Sequence, residues 1–371
     1  MQFNINRDLL LKSLNFVQGV VEKKNTLPIL SNVLLNLKNN KLEIVATDLD
    51  IVFYDEISEL KVSEEGSTTT SANVLFDILR KIPANTEISF TLKNENKLSL
   101  KSKNSDFNLL CLPTSNFPTF DDKFKDQPIE LDKKSFLSLL NKTKISISND
   151  DTRHYLNGIY LHVTESNKNT FLTGVATDSH RLSSSSMLVD KIKDFTSIII
   201  PRKTVYQLCS LLDNIDEKLI IQGTGNKIKF TLGKMNLISK VIDGKFPDYQ
   251  KVIPKENTKT LTVASADFIS SVERVASVSI DRKEGVKLEL SKDKLKLSVN
   301  STNSGDGNEV VAAKYDGDDL VIGFNSKYLI DIASEVEDNN LTFSLKNSTS
   351  PVIVFDNSDK NSFYVIMPMK I

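Results

Sequence analysis

The chain has 371 residues, 39% of them hydrophobic and 26% charged, which is too long for one ordinary core and fits two or three domains. No apolar run approaches the roughly 20 residues of a membrane span, and the first residues lack the basic and apolar regions of a signal peptide, so a cytoplasmic protein with no membrane partner is expected. With 47 Lys plus Arg against 48 Asp plus Glu, net charge gives no global sign of a nucleic-acid binder, and the two cysteines, Cys111 and Cys209, supply neither a disulfide framework nor a metal pair and read as buried thiols.

Alternation at Phe3 and Ile5 predicts a strand, and Leu10, Leu14, Val17 and Val21 fall on one stripe of the helix after it. An alternating segment, Lys41 to Ala46, precedes a second strand and helix over Thr68 to Ile82, where Leu75, Ile78, Leu79 and Ile82 keep helical spacing. Antiparallel strands follow at Glu87 to Leu92 and Lys97 to Lys101. A proline-punctuated joint runs from Phe117 and Pro118 to Pro128. The same grammar restarts at Ile129 and Leu131, with Phe136, Leu139, Leu140 and Thr143 on one side of a helix ending at Lys144, and a second strand and helix over Ile198 to Leu212. After a joint from Phe246 and Pro247 to Pro254 it restarts once more at Leu261 and Val263. Here Phe268, Val272 and Val275 form the first stripe, Lys294 to Val299 a strand, and Leu329, Ile332, Ala333 and Val336 the stripe of the second helix, within Leu320 to Val336. Polar Ser301 to Asn308 reads as a hairpin tip or mobile loop.

The result is an α+β chain of three repeated domains, at 1–122, 123–250 and 251–371. Each is a compact unit of two strand-helix-strands halves, with two helices covering one side of sheet structure.

Catalytic and cofactor signals are missing. Neither Gly223 to Lys227 nor Gly305 to Asn308 has phosphate-loop spacing, and Gly305, Asp306 and Gly307 read as a turn. The TDSHRL run, Thr177 to Leu182, could suggest a metal site or an acid–base pair, but Thr47 and Asp48 occupy the equivalent place in the first copy. A repeated Thr-Asp pair closes a turn by side-chain to backbone hydrogen bonds, leaving His180 and Arg181 special to the second copy. His180 has no nucleophile and orienting carboxylate around it, since Cys209 lies in no recognisable motif, and His154 and His162 read as surface or satisfied core residues. No enzyme, metal or cofactor is expected.

Basic residues recur on or beside the helices of every copy: Lys12, Lys23 and Lys24; Arg80 and Lys81; Lys133, Lys134, Lys142 and Lys144; Arg202 and Lys203; Arg274, Arg282 and Lys283. Singly these are solvated faces; if the repeats align their helices, they line a surface that contacts phosphates without reading bases. The chain ends on Met367-Pro368-Met369-Lys370-Ile371. A strand finishing in its own core accounts for Val365 and Met367, and the Met-Pro-Met stretch could wall an apolar peptide groove.

NTLPIL (Asn25 to Leu30), ATDSHRL (Ala176 to Leu182), FPDY (Phe246 to Tyr249), GFN (Gly323 to Asn325) and the VIMPMKI ending together resemble the bacterial DNA polymerase III beta subunit, the sliding-clamp family, in order along the whole chain. The resemblance implies a head-to-tail homodimeric ring of twelve half-domain units with helices inside and sheets outside. Such a ring is a non-catalytic processivity factor that binds double-stranded DNA independently of sequence. It implies a groove between the second and third domains for motifs resembling Gln-Leu-x-Leu-Phe, carried by the replicative polymerase alpha subunit, the clamp loader and other partners. The matching groove positions are Leu156, Thr177, Ser179, His180, Arg181, Leu182, Pro247, Lys251, Val252, Asn325, Tyr328, Thr349, Pro351, Val365, Ile366, Met367, Pro368, Met369, Lys370 and Ile371. For DNA it points to Lys24, Arg153, His154, Tyr155, Arg202 and Lys203, and for the dimer to Phe107 and Leu109 facing Val278. Lys251 and Lys370 stand where arginine is familiar in the family, Ile371 replaces leucine, Lys283 replaces an aromatic, His154 replaces tyrosine, and Asp150 sits where a neutral residue is common. Losing the planar guanidinium changes rim polarity and partner affinity. The rival reading is a non-catalytic peptide-binding scaffold of repeated domains that never encircles DNA, and an enzyme comes third.

Overall fold

A computed structural model describes residues 1–22, 26–120, 124, 127–190, 192, 195–279 and 285–371. In the first repeat β1 (Gln2–Asn6) enters α1 (Arg7–Val20), followed by β2 (Asn32–Lys38), β3 (Lys41–Thr47), β4 (Ile51–Ile57) and an extra β5 (Leu60–Glu64); β6 (Gly66–Ser71) then enters α2 (Ala72–Lys81), followed by β7 (Glu87–Asn94), β8 (Lys97–Ser102) and β9 (Ser105–Leu112). The second has β10 (Ile129–Leu131), α3 (Lys133–Lys144), β11 (Gly158–Ser166), β12 (Asn169–Thr177), β13 (Arg181–Val189), β14 (Ile198–Pro201), α4 (Arg202–Asn214), β15 (Leu219–Thr224), β16 (Lys227–Leu232) and β17 (Met235–Lys240). The third has β18 (Lys259–Ala264), α5 (Ser265–Ala276), β19 (Gly285–Ser291), β20 (Lys294–Ser301), β21 (Gly305–Asp316), β22 (Leu320–Asn325), α6 (Ser326–Ser334), β23 (Asn340–Leu345), β24 (Val352–Asp356) and β25 (Asp359–Ile366).

The helices form where the stripes predict. Asn6 caps α1 by accepting from the Asp8 N–H at 2.8 Å, and Asn325 caps α6 by accepting from the Lys327 N–H at 2.9 Å. Leu10, Leu14 and Val17 of α1, Phe136, Leu139 and Leu140 of α3, and Phe268, Val272 and Val275 of α5 are all buried, each worth about 1.5–3 kcal/mol of transfer free energy.

Within every repeat the strand preceding a helix crosses to the other half. The resulting four-stranded half-sheets are β4-β3-β2-β6 and β9-β8-β7-β1, β13-β12-β11-β14 and β17-β16-β15-β10, and β21-β20-β19-β22 and β25-β24-β23-β18. Sheets then continue across repeats. In one compact unit, residues 1–134 with 203–241, β17 pairs with β4; in the other, residues 135–202 with 242–371, β13 pairs with β25. The second repeat thus gives one half-sheet to each unit. Alternation identifies a strand but not its partner.

Some expectations shift. Gly305-Asp306-Gly307 is not a turn but the start of β21, paired with Ser301, Asn300 and Val299, so the polar loop shrinks to residues 302–304. Lys142 is not on a solvated face: it is 5% exposed and its ammonium meets Asp359 at 2.9 Å and Glu337 at 3.2 Å. Both cysteines are buried thiols. Among the described residues no helix is long and apolar enough to cross a membrane, and no cluster of His, Cys, Asp or Glu suits a metal.

Candidate functional site

The two Thr-Asp turns are built alike. Thr47 Oγ1 donates to the Ile51 carbonyl at 2.8 Å and accepts from Leu49 N–H at 2.9 Å, while Asp48 Oδ1 accepts from the N–H groups of Asp50 and Ile51 at 3.0 and 2.8 Å. Thr177 Oγ1 donates to the Arg181 carbonyl at 2.7 Å and accepts from Ser179 N–H at 3.1 Å, while Asp178 Oδ1 accepts from His180 and Arg181 N–H at 2.9 and 3.0 Å. Four side-chain bonds replace the missing ladder bonds of each turn, and they hold Leu49 and Ser179 at φ of 80° and 76°. The pairs are structural, as the comparison of copies implied.

What differs between the turns is their surroundings. Arg181 is buried, with Nε donating to Asp178 at 3.1 Å and Nη1 to Asp331 at 2.7 Å, and its guanidinium lies 4.3 Å from the centre of the Tyr328 ring. His180 lies stacked on that ring, 6.4 Å between centroids. Burial, with Asp178 next, pushes the Tyr328 phenol above its ordinary pKa. The exposed His180 and Ser179 thus sit on a turn that is rigid from beneath. Asp331 and Tyr328 do this positioning. Asp331 was not singled out in the sequence, and no local pattern ties it to a residue 150 positions away.

Leu156, Leu182 and Val365 pack with Val175, Ile199, Phe246 and Ile353 in one buried apolar cluster. Pro247, Lys251 and Val252 are exposed on the segment crossing it, where Lys251 pairs with Asp248 at 3.0 Å. Thr349 and Pro351 lie in the β23–β24 connection just before Ile353, and Asn325 caps α6 one turn before Tyr328. The tail leaves the core at one residue: Val365 and Ile366 are buried, but Met367 is 41% exposed. That corrects the expectation that Met367 belongs in the core, since β25 ends at Ile366 and the alternation stops with it. Met367 N–H donates to the His180 carbonyl at 2.8 Å and Met369 N–H to the Gly323 carbonyl at 2.9 Å. A Cβ on Gly323 would lie 2.3 Å from Ile371 Cγ2 and 2.9 Å from the Met369 carbonyl oxygen, so glycine at that position in GFN lets the tail lie against β22. Pro368, Met369, Lys370 and Ile371 end the chain beside β22, with Lys370 and Ile371 exposed.

Three family models cover nearly the whole chain: the DNA polymerase III beta subunit N-terminal domain at residues 1–121, the central domain at 130–248 and the C-terminal domain at 250–370. The chain belongs to the DNA polymerase III beta subunit family. Among curated relatives, the beta sliding clamps of Caulobacter vibrioides and Escherichia coli K12 are 36% and 34% identical, each aligned over 100% of both chains. Among solved structures, a sliding clamp from Bartonella birtlesii bound to griselimycin is 38% identical with a TM-score of 0.96, and the beta subunit from Pseudomonas aeruginosa is 32% identical with a TM-score of 0.92; both align over 100% of each chain.

Residues associated with DNA through the sliding-clamp resemblance have unequal surroundings here. Lys24, like Lys283, lies outside the described residues. Arg153 donates to Asp150 at 3.0 Å and to Ser179 at 2.5 Å, tying its loop to the Thr177 turn. Asp150 is held below the usual carboxylate range by Thr152 first and Arg153 after it. His154 lies 3.2 Å from the Asp243 carbonyl and edge-on to Tyr155 at 5.8 Å. Arg202 donates to Asn149. Lys203 is the most committed, donating to the Val20 carbonyl at 3.0 Å, Glu22 at 3.3 Å and Asp48 at 2.5 Å.

The residues associated with a clamp dimer lie beside two half-paired strands. Among the described residues, β9 pairs with β8 along its length but with β6 only at Cys111 and Leu112. Similarly, β21 pairs with β20 up to Ala312 and with β18 only from Ala313. Phe107 is 36% exposed and lines a cavity of about 390 Å³ with Val74, Ile78 and Ile82 of the α2 region, while Leu109 is buried. Val278 packs on β21, where a Cβ on Gly307 would come 2.9 Å from Val278 Cγ2.

Proposed function

We propose that two copies of this chain close head to tail into a ring around duplex DNA and tether the replicative polymerase, working as a non-catalytic processivity factor. The domains run 1–122, 123–250 and 251–371, with helices facing inward and sheets outward. The observation that carries this reading is a pairing rule. In both repeat junctions the third strand after a repeat's first helix pairs with the last strand of the next repeat, β4 with β17 and β13 with β25. The register is the same, because Lys240 N–H donates to Asp50 at 2.9 Å where Met367 N–H donates to His180 at 2.8 Å. Continuing the rule pairs β21 with the β9 of another copy. Two half-paired strands on opposite repeats make a heterologous interface, and a closed ring satisfies both.

Register follows from equivalent positions. Ile51 and Phe53 pair with Ser239 and Leu237; the hairpins flanking them match Gly305 and Gly307 on β21 to Leu109 and Phe107 on the partner's β9. Two glycines opposite two large apolar residues let the strands carry the Phe107 ring and the Leu109 side chain between them, with Val278 beside them. The cavity next to Phe107 supports the same contact.

The rim made by His180, Tyr328, Val252 and the tail supports a groove for an apolar motif, over the floor of Leu156, Leu182 and Val365. Its partners are the polymerase alpha subunit, the clamp loader and other carriers of the motif. Contacts to DNA use Arg153, His154, Tyr155, Arg202 and Lys24 on phosphates, whereas Lys203 acts by holding the fold. The test is retention on nicked circular DNA after loading, followed by linearisation. Encirclement predicts that the protein slides off once ends exist; equal retention on the linear form would favour the scaffold reading and refute the ring.

A further inference from the structure

A cavity of about 330 Å³ adjoins the groove and is lined by Thr164, Thr173, Ser184, Ser186, Tyr249, Gln250, Ile253, Lys255 and Phe363. We infer that it is a second subsite for the same partners, taking a polar flank of the peptide whose carboxylate pairs with Lys255. This inference rests on the groove reading above.

Strand alternation puts the cavity floor on the groove's own sheet face. Thr177, Leu182 and Val365 form one cross-strand row; Val175, Ser184 and Phe363 form the next, and Thr173 with Ser186 the third. Moving along β13 from Leu182 through Ser184 to Ser186 therefore leads from apolar floor to hydroxyl floor. The 3-10 turn Tyr249–Val252 borders both: Tyr249 and Gln250 line the cavity, while Lys251 and Val252 belong to the groove rim. Leu182 to Ser186 spans roughly 13 Å, about four residues of extended peptide.

The lining is built and not incidental. Phe246 stacks on Tyr160 at 4.9 Å, and Tyr249 Oη lies 3.2 Å from His162 Nε2. These contacts fix the crossing segment over β11 and leave β12, β13 and β25 uncovered beneath the cavity. Thr164, Thr173 and Ser186 form a hydroxyl chain with spacings of 2.8 and 2.9 Å. Next to it Ser184 is 3% exposed, lines the cavity, and its hydroxyl makes no hydrogen bond among the described residues. Its hydroxyl opens on the cavity with its donor and acceptor capacity free, so a ligand there can hydrogen-bond to it. Lys255 is the cation of the lining and also makes no ion pair among the described residues, although neighbouring Glu256 is paired with Lys346 at 2.6 Å. Hydroxyls, an amide and one lysine over Phe363 and Ile253 suit an extended backbone carrying a carboxylate.

The experiment measures binding of the full chain to fluorescent peptides by anisotropy at low and high salt. It uses the core motif alone, the motif with a four-residue acidic flank on either end, and the motif with a Gly-Ser flank. The acidic flank on one end is expected to tighten binding about fivefold, from one surface ion pair and one hydrogen bond. The Gly-Ser flank should give no gain. Lys255→Glu is expected to abolish the gain, and Ser184→Val to halve it, while both leave core-motif affinity unchanged. An equal gain from the Gly-Ser flank, or a gain that survives Lys255→Glu, overturns the subsite. Failure of the core motif to bind at all overturns the groove reading instead.

Discussion

Lys203 Nζ donates to Asp48 at 2.5 Å, so the carboxylate that caps the first Thr-Asp turn also anchors the start of α4. The same ammonium reaches the Val20 carbonyl at the end of α1. Removing it leaves a nearly buried carboxylate and a helix-terminal carbonyl without their cation. Lys203→Met is expected to lower stability by about 1–2 kcal/mol, seen as a fall in thermal midpoint. In an Asp48→Asn background the same change should cost clearly less; strict additivity would disprove the coupling. Because this charge is already spent, the salt slope of DNA binding should change by less than one counterion.

Lys142 is a buried charge facing Asp359, Glu337 and, at 4.0 Å, Asp356. Lys142→Met takes the cation from the buried Asp356 and the half-buried Asp359 and should cost about 3 kcal/mol, checked by denaturant unfolding.

Its pH dependence has a defined sign. Burial opposes the ammonium's charge, but Asp359 and then Glu337 outweigh it and raise the Lys142 pKa. Burial likewise opposes the carboxylates, yet hydrogen bonds from Lys142, Ser362 and the Asn361 N–H hold Asp359 low, and those from Ser358 and the Glu337 N–H hold Asp356 low. Depressed carboxylates stabilise above their unfolded pKa of about 3.9, and a raised lysine stabilises below its unfolded pKa of about 10.4. The cluster's contribution should therefore be constant from about pH 5 to 10, fall as acid titrates the folded carboxylates below pH 4, and fall again above pH 10.4. Loss of the wild-type advantage over Lys142→Met near pH 7 would contradict this.

Phe107→Asp places a charge opposite Gly307 in the proposed dimer. Light scattering should give about twice the 41.5 kDa chain for the parent and a single chain mass for Phe107→Asp at micromolar concentration, with an unchanged circular dichroism spectrum. A variant that remains dimeric removes β9 from the interface.

Deleting Met367 to Ile371 removes two backbone hydrogen bonds, to His180 and Gly323, but leaves Val365 and Ile366 in the core. The fold and dimer should persist, while affinity for the polymerase motif falls at least tenfold, about 1.4 kcal/mol. Unchanged affinity would move the groove elsewhere.

The sequence by itself determined the elements, the threefold repeat and the Thr-Asp turns, because stripe periods and turn hydrogen bonds act within a few residues of their own position. Thr47 reaches Ile51 and Thr177 reaches Arg181, each four residues away. Comparing copies also separated these turns from His180 and Arg181, where the repeats differ. Tertiary structure decided everything that depends on a distant partner. Lys142 reads as a solvated lysine until Asp359, 217 positions later, is packed against it. Gly305 and Gly307 read as a turn until Ser301 and Val299 take them into a strand. The crossing of β1 and β6 between half-sheets, and the joining of β17 to β4, depend on free strand edges that meet only when the chain folds. Local pattern shows that an edge exists, and the fold selects which edge covers it.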